Sequence, residues 1–337
     1  MIKHYIRVAV RAISRSKLHS TINVFGLSLG IACCVLIALF VEDEWTFDRF
    51  HLKSDRIYRV FVKEDWGVNE QFFNTTTPFP IGPVLKENFQ EVEKEVRFLV
   101  SNGQVKVGNE QFSESFNVAG QNFFDVFDFP VIAGNIGEAL SIQSNVVLSD
   151  RQSKKFFGDE DPVNKSISIL VGESFENFNV VAVVSVPANS SLQFDILISD
   201  LNFPKMFSQR ALTSGWFNVN PETYILLKQD VNAKDVVNKF PTLFKTILGE
   251  DEYNKSKYSP GLQPLTQIHL DTSYPPGLSQ VSNPKYSYVL AGVAILILLV
   301  ACINFVTLAV GRSIKRAREV GVRKVDASIK LNAIKTH

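Results

Sequence analysis

The stretch from Tyr288 to Lys324 constrains this chain more than any other. It opens with an uncharged apolar run of about twenty residues, long enough for a helix to cross a bilayer, and passes at once into a dense basic segment. That pattern reads as a membrane exit followed by a cytoplasmic anchor. Asn304 is the only amide inside the run. Hydrocarbon offers no water, so its side chain is expected to face a neighbouring helix rather than lipid. A second run, Ile22 to Val41, has Lys17 before it and Glu42, Asp43 and Glu44 after it. It is too long for a signal peptide and no small-x-small cleavage site follows, so it reads as a retained crossing. Within it Gly26 and Gly30 form a small-xxx-small pattern, which lets two helix backbones approach closely.

The formal net charge of +1 conceals a segregation along the chain. Residues 1–20 carry Lys3, Arg7, Arg11, Arg15 and Lys17 with no acid, and residues 311–337 carry eight basic side chains against Glu319 and Asp326. The remainder holds 22 basic and 32 acidic residues. Both ends therefore satisfy the positive-inside rule for a cytoplasmic position and the acidic middle lies on the far side. The balance gives no sign of a nucleic-acid partner. The first twenty residues place Ile2, Ile6, Ala9, Val10 and Ile13 at helical spacing, as in an amphipathic helix on membrane lipid. Cys33, Cys34 and Cys302 all fall in the apolar runs, where they read as small buried hydrophobes.

Between Glu42 and Pro284 the pattern changes to short strands and turns. Strands are expected at 57–62, 71–76, 96–100, 104–107, 113–118, 146–149, 166–171, 177–186, 223–228 and 263–270, with turns at Asn102-Gly103 and Gly108-Asn109. Helices are expected at 81–88, 123–127, 150–157, where Ser149 or Asp150 caps, and 233–248. Strands and helices interleave without a repeat, which indicates an α+β domain of one or two lobes.

Catalytic signals are thin. The chain has no phosphate-binding loop, no nucleophile elbow and no His-Glu-x-x-His helix, and its five histidines are scattered. Asp125, Asp128 and Glu138 could be offered as an acid group, but solvated surface is the simpler reading. No catalytic, cofactor or metal residue is assigned.

Several blocks carry a family resemblance: Ile22-Asn23, Gly26-Leu27 and Gly30-Ile31-Ala32; Phe47-Asp48-Arg49-Phe50-His51 with Asp55 to Val60; and Val147-Leu148-Ser149 with Phe157-Gly158 and Asp161-Pro162. Asn189 to Asp195, Glu222-Thr223-Tyr224, Leu265 to Leu270, and Ala301 to Val306 running into Arg316 to Val325 complete the set. In order and spacing these blocks resemble the permease subunits of MacB/FtsX-type ABC transporters, in the long form common in Bacteroidetes. The resemblance implies two transmembrane helices flanking a MacB-like α+β periplasmic core domain, with cytoplasmic termini in the inner membrane. The implied segments are an amphipathic piece at 1–20, crossings at 21–41 and 286–311, a periplasmic domain at 42–285 and a cytoplasmic coupling tail at 312–337.

It also implies a non-enzymatic role. A separate cytoplasmic ABC ATPase binds ATP, and the permease passes its motion outward through the coupling residues Arg316, Arg318, Glu319, Gly321, Arg323 and Lys324. Further permease helices, a second copy in a dimer, lipid, and a periplasmic or outer-membrane protein are the other implied partners. Relatives of this kind continue into further crossing helices, and this chain has Val325-Asp326-Ala327-Ser328 where they carry Leu-Gly-Ala-Ser. It is therefore expected to be a fragment, a disrupted product or one part of a split permease. The alternative is a two-crossing sensor with a ligand-binding outer domain, for which the tail is short. An anchored periplasmic hydrolase would need a convergent nucleophile and base that the sequence does not display.

Overall fold

The computed structural model describes residues 17–67 and 70–334, with the backbone alone given for parts of the two terminal helices. The chain divides into two compact units, the folded middle Glu44–Asn283 and a pair of terminal helical segments. The expected amphipathic segment falls almost wholly outside the described residues. Helix α1 then runs from Lys17 to Trp45.

In chain order the middle continues with β1 (Ile57–Asp65), β2 (Gln71–Asn74), α2 (Ile81–Asn88), β3 (Val92–Val107), β4 (Glu110–Ala119), α3 (Phe123–Val126) and β5 (Val131–Gly134). Next come β6 (Asn145–Ser149), α4 (Asp150–Phe157), β7 (Ser166–Val171), β8 (Ser174–Val184), β9 (Ile196–Ser199), α5 (Phe203–Met206) and α6 (Gln209–Ser214). The unit closes with β10 (Glu222–Leu227), α7 (Ala233–Val237), α8 (Phe240–Leu248), α9 (Glu250–Ser256) and β11 (Ser259–Pro264), before α10 (Pro284–Ile334).

The strands form one mixed sheet in the order β11-β1-β10-β3-β4-β9-β6-β8-β5, with β2 beside β1 and β7 bridging β3 and β8. Pairing is antiparallel except at β4/β9 and β6/β8. Both faces of its centre are covered. Val147, Leu197, Tyr224 and Leu226 point into one apolar cluster, while their neighbours Val146, Leu148, Ile196 and Ile198 point into a second, and Ile225 and Leu227 into a third with α2 and α8. A register shift between Val146 and Val147 lets Val180 face the second cluster while Ala182, two residues on, faces the first.

Four expectations need correction. Asn102-Gly103 is not a turn, because β3 runs unbroken from Val92 to Val107. Gly103 is there for closeness: an added Cβ would lie 2.9 Å from the Phe116 ring and 3.1 Å from the Leu170 carbonyl. The expected helix 233–248 is split into α7 and α8, since Pro241 has no N–H for the Val237 carbonyl and its ring crowds that turn. The last strand lies earlier than 263–270 and stops at Pro264, where a 3-10 turn begins. Strands β5 and β9 and helices α5, α6 and α9 were not anticipated.

In the terminal unit, Val24–Trp45 and Pro284–Gly311 are each long and apolar enough to cross a membrane. Side chains such as Phe25, Leu29, Val289 and Ile295 stand exposed, the reverse of a helix that serves a soluble core. Helix α10 continues without a break to Ile334. Its 51 residues measure about 75 Å at 1.5 Å per residue, more than twice the hydrocarbon thickness.

Candidate functional site

Two polypeptide connectors join the middle unit to its helices, one leaving α1 and one entering α10. A buried polar cluster fixes the first to the loops around Asp128 and residues 189–191, and another fixes the second to the sheet.

The first connector turns at Asp48, whose φ of +58° lies in the left-handed region that aspartate tolerates. Its backbone N–H donates to the Asn189 carbonyl at 2.9 Å. Its carboxylate accepts from the Ser191 backbone N–H at 2.7 Å and from the Ser191 hydroxyl at 2.5 Å. Three residues on, His51 Nδ1 accepts from the Asp128 backbone N–H at 2.9 Å, so in the neutral ring the proton sits on Nε2, 4.0 Å from Asp48 Oδ1. Phe50, Phe127 and Phe129 surround the imidazole. Burial raises the Asp48 carboxyl to about 6, with the Ser191 hydrogen bonds and the charge of His269 pulling it back. Burial pushes His51 down to about 4 against the opposing pull of Asp128.

The second connector is clamped by Arg59 on β1, fully buried in the sheet. Its guanidinium donates to Glu222 Oε1 at 2.8 Å, to Gln263 Oε1 at 2.7 Å and to the Pro276 carbonyl at 3.2 Å. Glu222 in turn accepts from the Leu278 backbone N–H at 2.9 Å and from the Tyr224 hydroxyl at 2.6 Å. Burial and the Glu222 charge hold that phenol well above its usual range. Thr75 donates to the Pro275 carbonyl at 3.2 Å. Gly277 has φ +65°, and a Cβ there would lie 2.4 Å from Thr75 Oγ1 and 2.5 Å from Glu222 Oε1, so the clamp closes only over glycine.

The helix pair brings together the three residues singled out for packing. A Cβ on Gly26 would lie 3.6 Å from Asn304 Nδ2, and one on Gly30 would lie 3.3 Å from Ala301 Cβ. Cys34 Sγ donates to the Ala294 carbonyl across the pair at 3.2 Å. Gly26, Gly30, Cys33, Ala301 and Asn304 also line an apolar groove of about 490 Å³ along this seam. Of the coupling residues, Arg318 and Gly321 are exposed on α10, with nothing within 4 Å of a Cβ at Gly321. For Arg316, Glu319, Arg323 and Lys324 only the helical backbone is described.

Asp125 is paired with Lys94 at 2.7 Å and Asp128 accepts from the Leu52 N–H, so both are occupied in structural contacts. Among the described residues no three His, Cys, Asp or Glu side chains are grouped to hold a metal. Sequence reasoning passed over His51 and His269 as scattered. Their signal was membership of the Phe47–His51 and Leu265–Leu270 blocks.

Comparison with known proteins decides the family. The model of the MacB-like periplasmic core domain matches residues 20–243. The chain belongs to that family. As a MacB-like periplasmic core domain, its folded middle is a component of an ABC-type transporter permease, in keeping with the sequence resemblance. Among solved structures, a domain of a protein described as a permease from Porphyromonas gingivalis matches with a TM-score of 0.54 at 20% identity, over 64% of this chain and 91% of the other. At that identity the likeness concerns the MacB-like fold alone. The periplasmic region of MacB from Actinobacillus actinomycetemcomitans (TM-score 0.43, 16% identity, 64% and 91% covered) and the extracellular domain of the noncanonic ABC-type transporter YknZ from Gram-positive bacteria (0.40, 13%, 61% and 99%) are more distant. No curated protein matches the sequence.

Proposed function

We propose that this MacB-like chain is a non-enzymatic transmembrane permease subunit that passes motion from a cytoplasmic ABC ATPase, which binds the ATP, to its periplasmic core domain. Residues 21–41 and 286–311 cross the inner membrane and both termini are cytoplasmic. The observation that carries the reading is the unbroken helix α10. A continuous rod from the basic segment to Pro284 converts a push at Arg316–Lys324 into a displacement at the second connector, and the Arg59–Glu222 clamp hands that displacement to the sheet. A rod that ended at the membrane face would anchor the chain but transmit nothing. The groove along Gly26, Gly30 and Asn304 suits further permease helices or a second copy, packed without a hydrophobic driving force.

The test is co-purification with the ATPase from membranes, followed by ATP turnover of the complex. Arg318→Glu reverses a charge on the exposed face, and Gly321→Pro breaks the rod for about 3 kcal/mol or more. Both should weaken assembly or uncouple turnover. If both leave complex formation and turnover untouched, the coupling role is wrong.

A further inference from the structure

Part of the sheet closes into a ring, β3-β4-β9-β6-β8-β7, because β7 pairs with both β3 and β8. The second apolar cluster fills it. The wall of this ring has a gap. On the side of β3 away from β4, Phe98 pairs with Glu222 of β10 and Val105 with Ile169 of β7, and among the described residues no strand pairs there with residues 99–103. The Arg97 carbonyl accepts from the Gly120 N–H, so odd-numbered residues of β3 turn their backbone groups toward β4 and even-numbered ones toward the gap. Val100 and Asn102 therefore present their N–H and C=O groups to the gap, about 7 Å apart along the strand. Both residues are exposed.

A cavity of about 290 Å³ opens at this gap. Ser101 and Asn102 line it from β3, Phe116 from β4, Gly172 from the turn after β7, and Met206 and Phe207 from the end of α5. Its walls are fixed. Gly172 has φ +66° and lies so close to α5 that a Cβ there would collide with the Lys205 carbonyl, while Phe116, Met206 and Phe207 pack with the second cluster. Pockets that take a whole small molecule run to about 300–1,000 Å³, so this one has room for a side chain or two. Water satisfies Val100 and Asn102 in the free chain, as at any sheet edge. Two features set this stretch apart: strands bound it at both ends, and a cavity lies beside it.

We propose that the gap binds an extended peptide segment of another polypeptide, which fills the missing length of wall as an added strand. Strands β10 and β7 both run antiparallel to β3, so a segment continuing their row is antiparallel as well. In that register two ligand residues exchange N–H···O=C bonds with Val100 and Asn102, and the residue between them stands opposite Ser101. Ser101 itself stands opposite Phe116, so the central side chain falls on the face of both and enters the cavity. Phe116, Met206 and Phe207 favour an apolar group there. The class recognised is an unfolded or terminal stretch of at least three residues with an apolar one at its centre, read mainly through its backbone. This site goes beyond the coupling role proposed above and does not rest on it.

The experiment uses the full chain in lipid nanodiscs and the probe acetyl-Ser-Thr-Leu-Thr-Ser-amide, whose leucine is the central residue. Hydrogen exchange at single-amide resolution should find the Val100 and Asn102 amides fast in the free chain and the Ser101 and Gly103 amides, which face β4, slow. Saturating peptide should slow Val100 and Asn102 by about ten-fold or more, with a dissociation constant of about 1 mM or below. Replacing the backbone N–H of either threonine by an ester oxygen removes a donor aimed at β3, and should weaken binding several-fold more than the same change at the leucine, whose N–H points away. Exchanging the leucine for serine should weaken binding about ten-fold or more. Ser101→Leu fills the cavity and should do the same; if that variant does not fold, Met206→Ala enlarges the cavity and should shift the preference at the centre from leucine to phenylalanine. No protection of Val100 and Asn102 at about 10 mM peptide overturns the proposal. So do equal losses from the ester at all three positions, and binding indifferent to the central side chain.

Discussion

Replacing Glu222 with glutamine is the sharpest perturbation of the second connector. The side chain keeps its shape, but Arg59, whose side chain is 0% exposed against 1% for Glu222, is left as a buried cation with no counter-ion. Breaking a buried pair by removing one partner costs about 3–5 kcal/mol, because the surviving charge stays desolvated. The loss should concentrate where Glu222 holds the connector, at the Leu278 amide 2.9 Å from its Oε1. At about 1.4 kcal/mol per tenfold, local opening there should become roughly two to three and a half powers of ten more frequent. Hydrogen exchange with mass spectrometry on the full chain in detergent reads this directly, with peptides from β9 as the internal control. The double variant Arg59→Met with Glu222→Leu should recover only part of the loss, since Gln263, Tyr224 and the Leu278 amide keep their unmet groups. A change under about 1 kcal/mol in Glu222→Gln would place the pair in the range of an exposed salt bridge and refute the clamp.

The first connector makes a prediction about the sign of pH dependence. Asp48, raised to about 6, gives stability that is present below its unfolded value near 4 and is lost as pH rises to 6; His51, lowered to about 4, gives stability that is lost as pH falls from 6.5 to 4. The two slopes oppose, so the wild type should be nearly flat between pH 4 and 6. Asp48→Asn should become more stable as pH rises through that window and His51→Gln less stable, each by about 3 kcal/mol, in urea midpoints measured against pH. Parallel slopes in the two variants would contradict the assignment. In the helix pair, Gly30→Leu would force a side chain against Ala301 and Ile297 at a cost of about 1–3 kcal/mol. With Cys33 and Cys302 replaced by serine, a membrane-permeant maleimide should then label Cys34 several-fold faster. An unchanged rate would mean that the helices do not pack through Gly30.

The sequence displayed the local parts of this structure and hid the long-range ones. Helix α2 has the bounds its pattern indicates, and Ser149 caps α4 by accepting from the Gln152 N–H, because both depend on neighbours a few residues away. Strand β9 was missed because it is only four residues long and all four are buried, so neither length nor alternation marks it; the equally buried β6 and β10 are longer runs. Asn102-Gly103 misled because glycine serves a close approach as readily as a turn. The joints show the same limit. Asp48 and Arg59 stood out in blocks of the sequence, but their partners Ser191 and Glu222 lie 143 and 163 residues away, and no periodicity links them.

The central claim is that ATP-driven motion reaches the sheet along α10 and through the second connector. The most direct measurement is hydrogen exchange of the complex with its ATPase in nanodiscs, comparing the ATP-bound state with the nucleotide-free one at the Leu278 amide, which Glu222 holds. The account predicts that nucleotide changes protection at that amide in the wild type, and that Gly321→Pro abolishes the change while the complex stays assembled. Protection that ignores nucleotide, or that responds equally in Gly321→Pro, would contradict it.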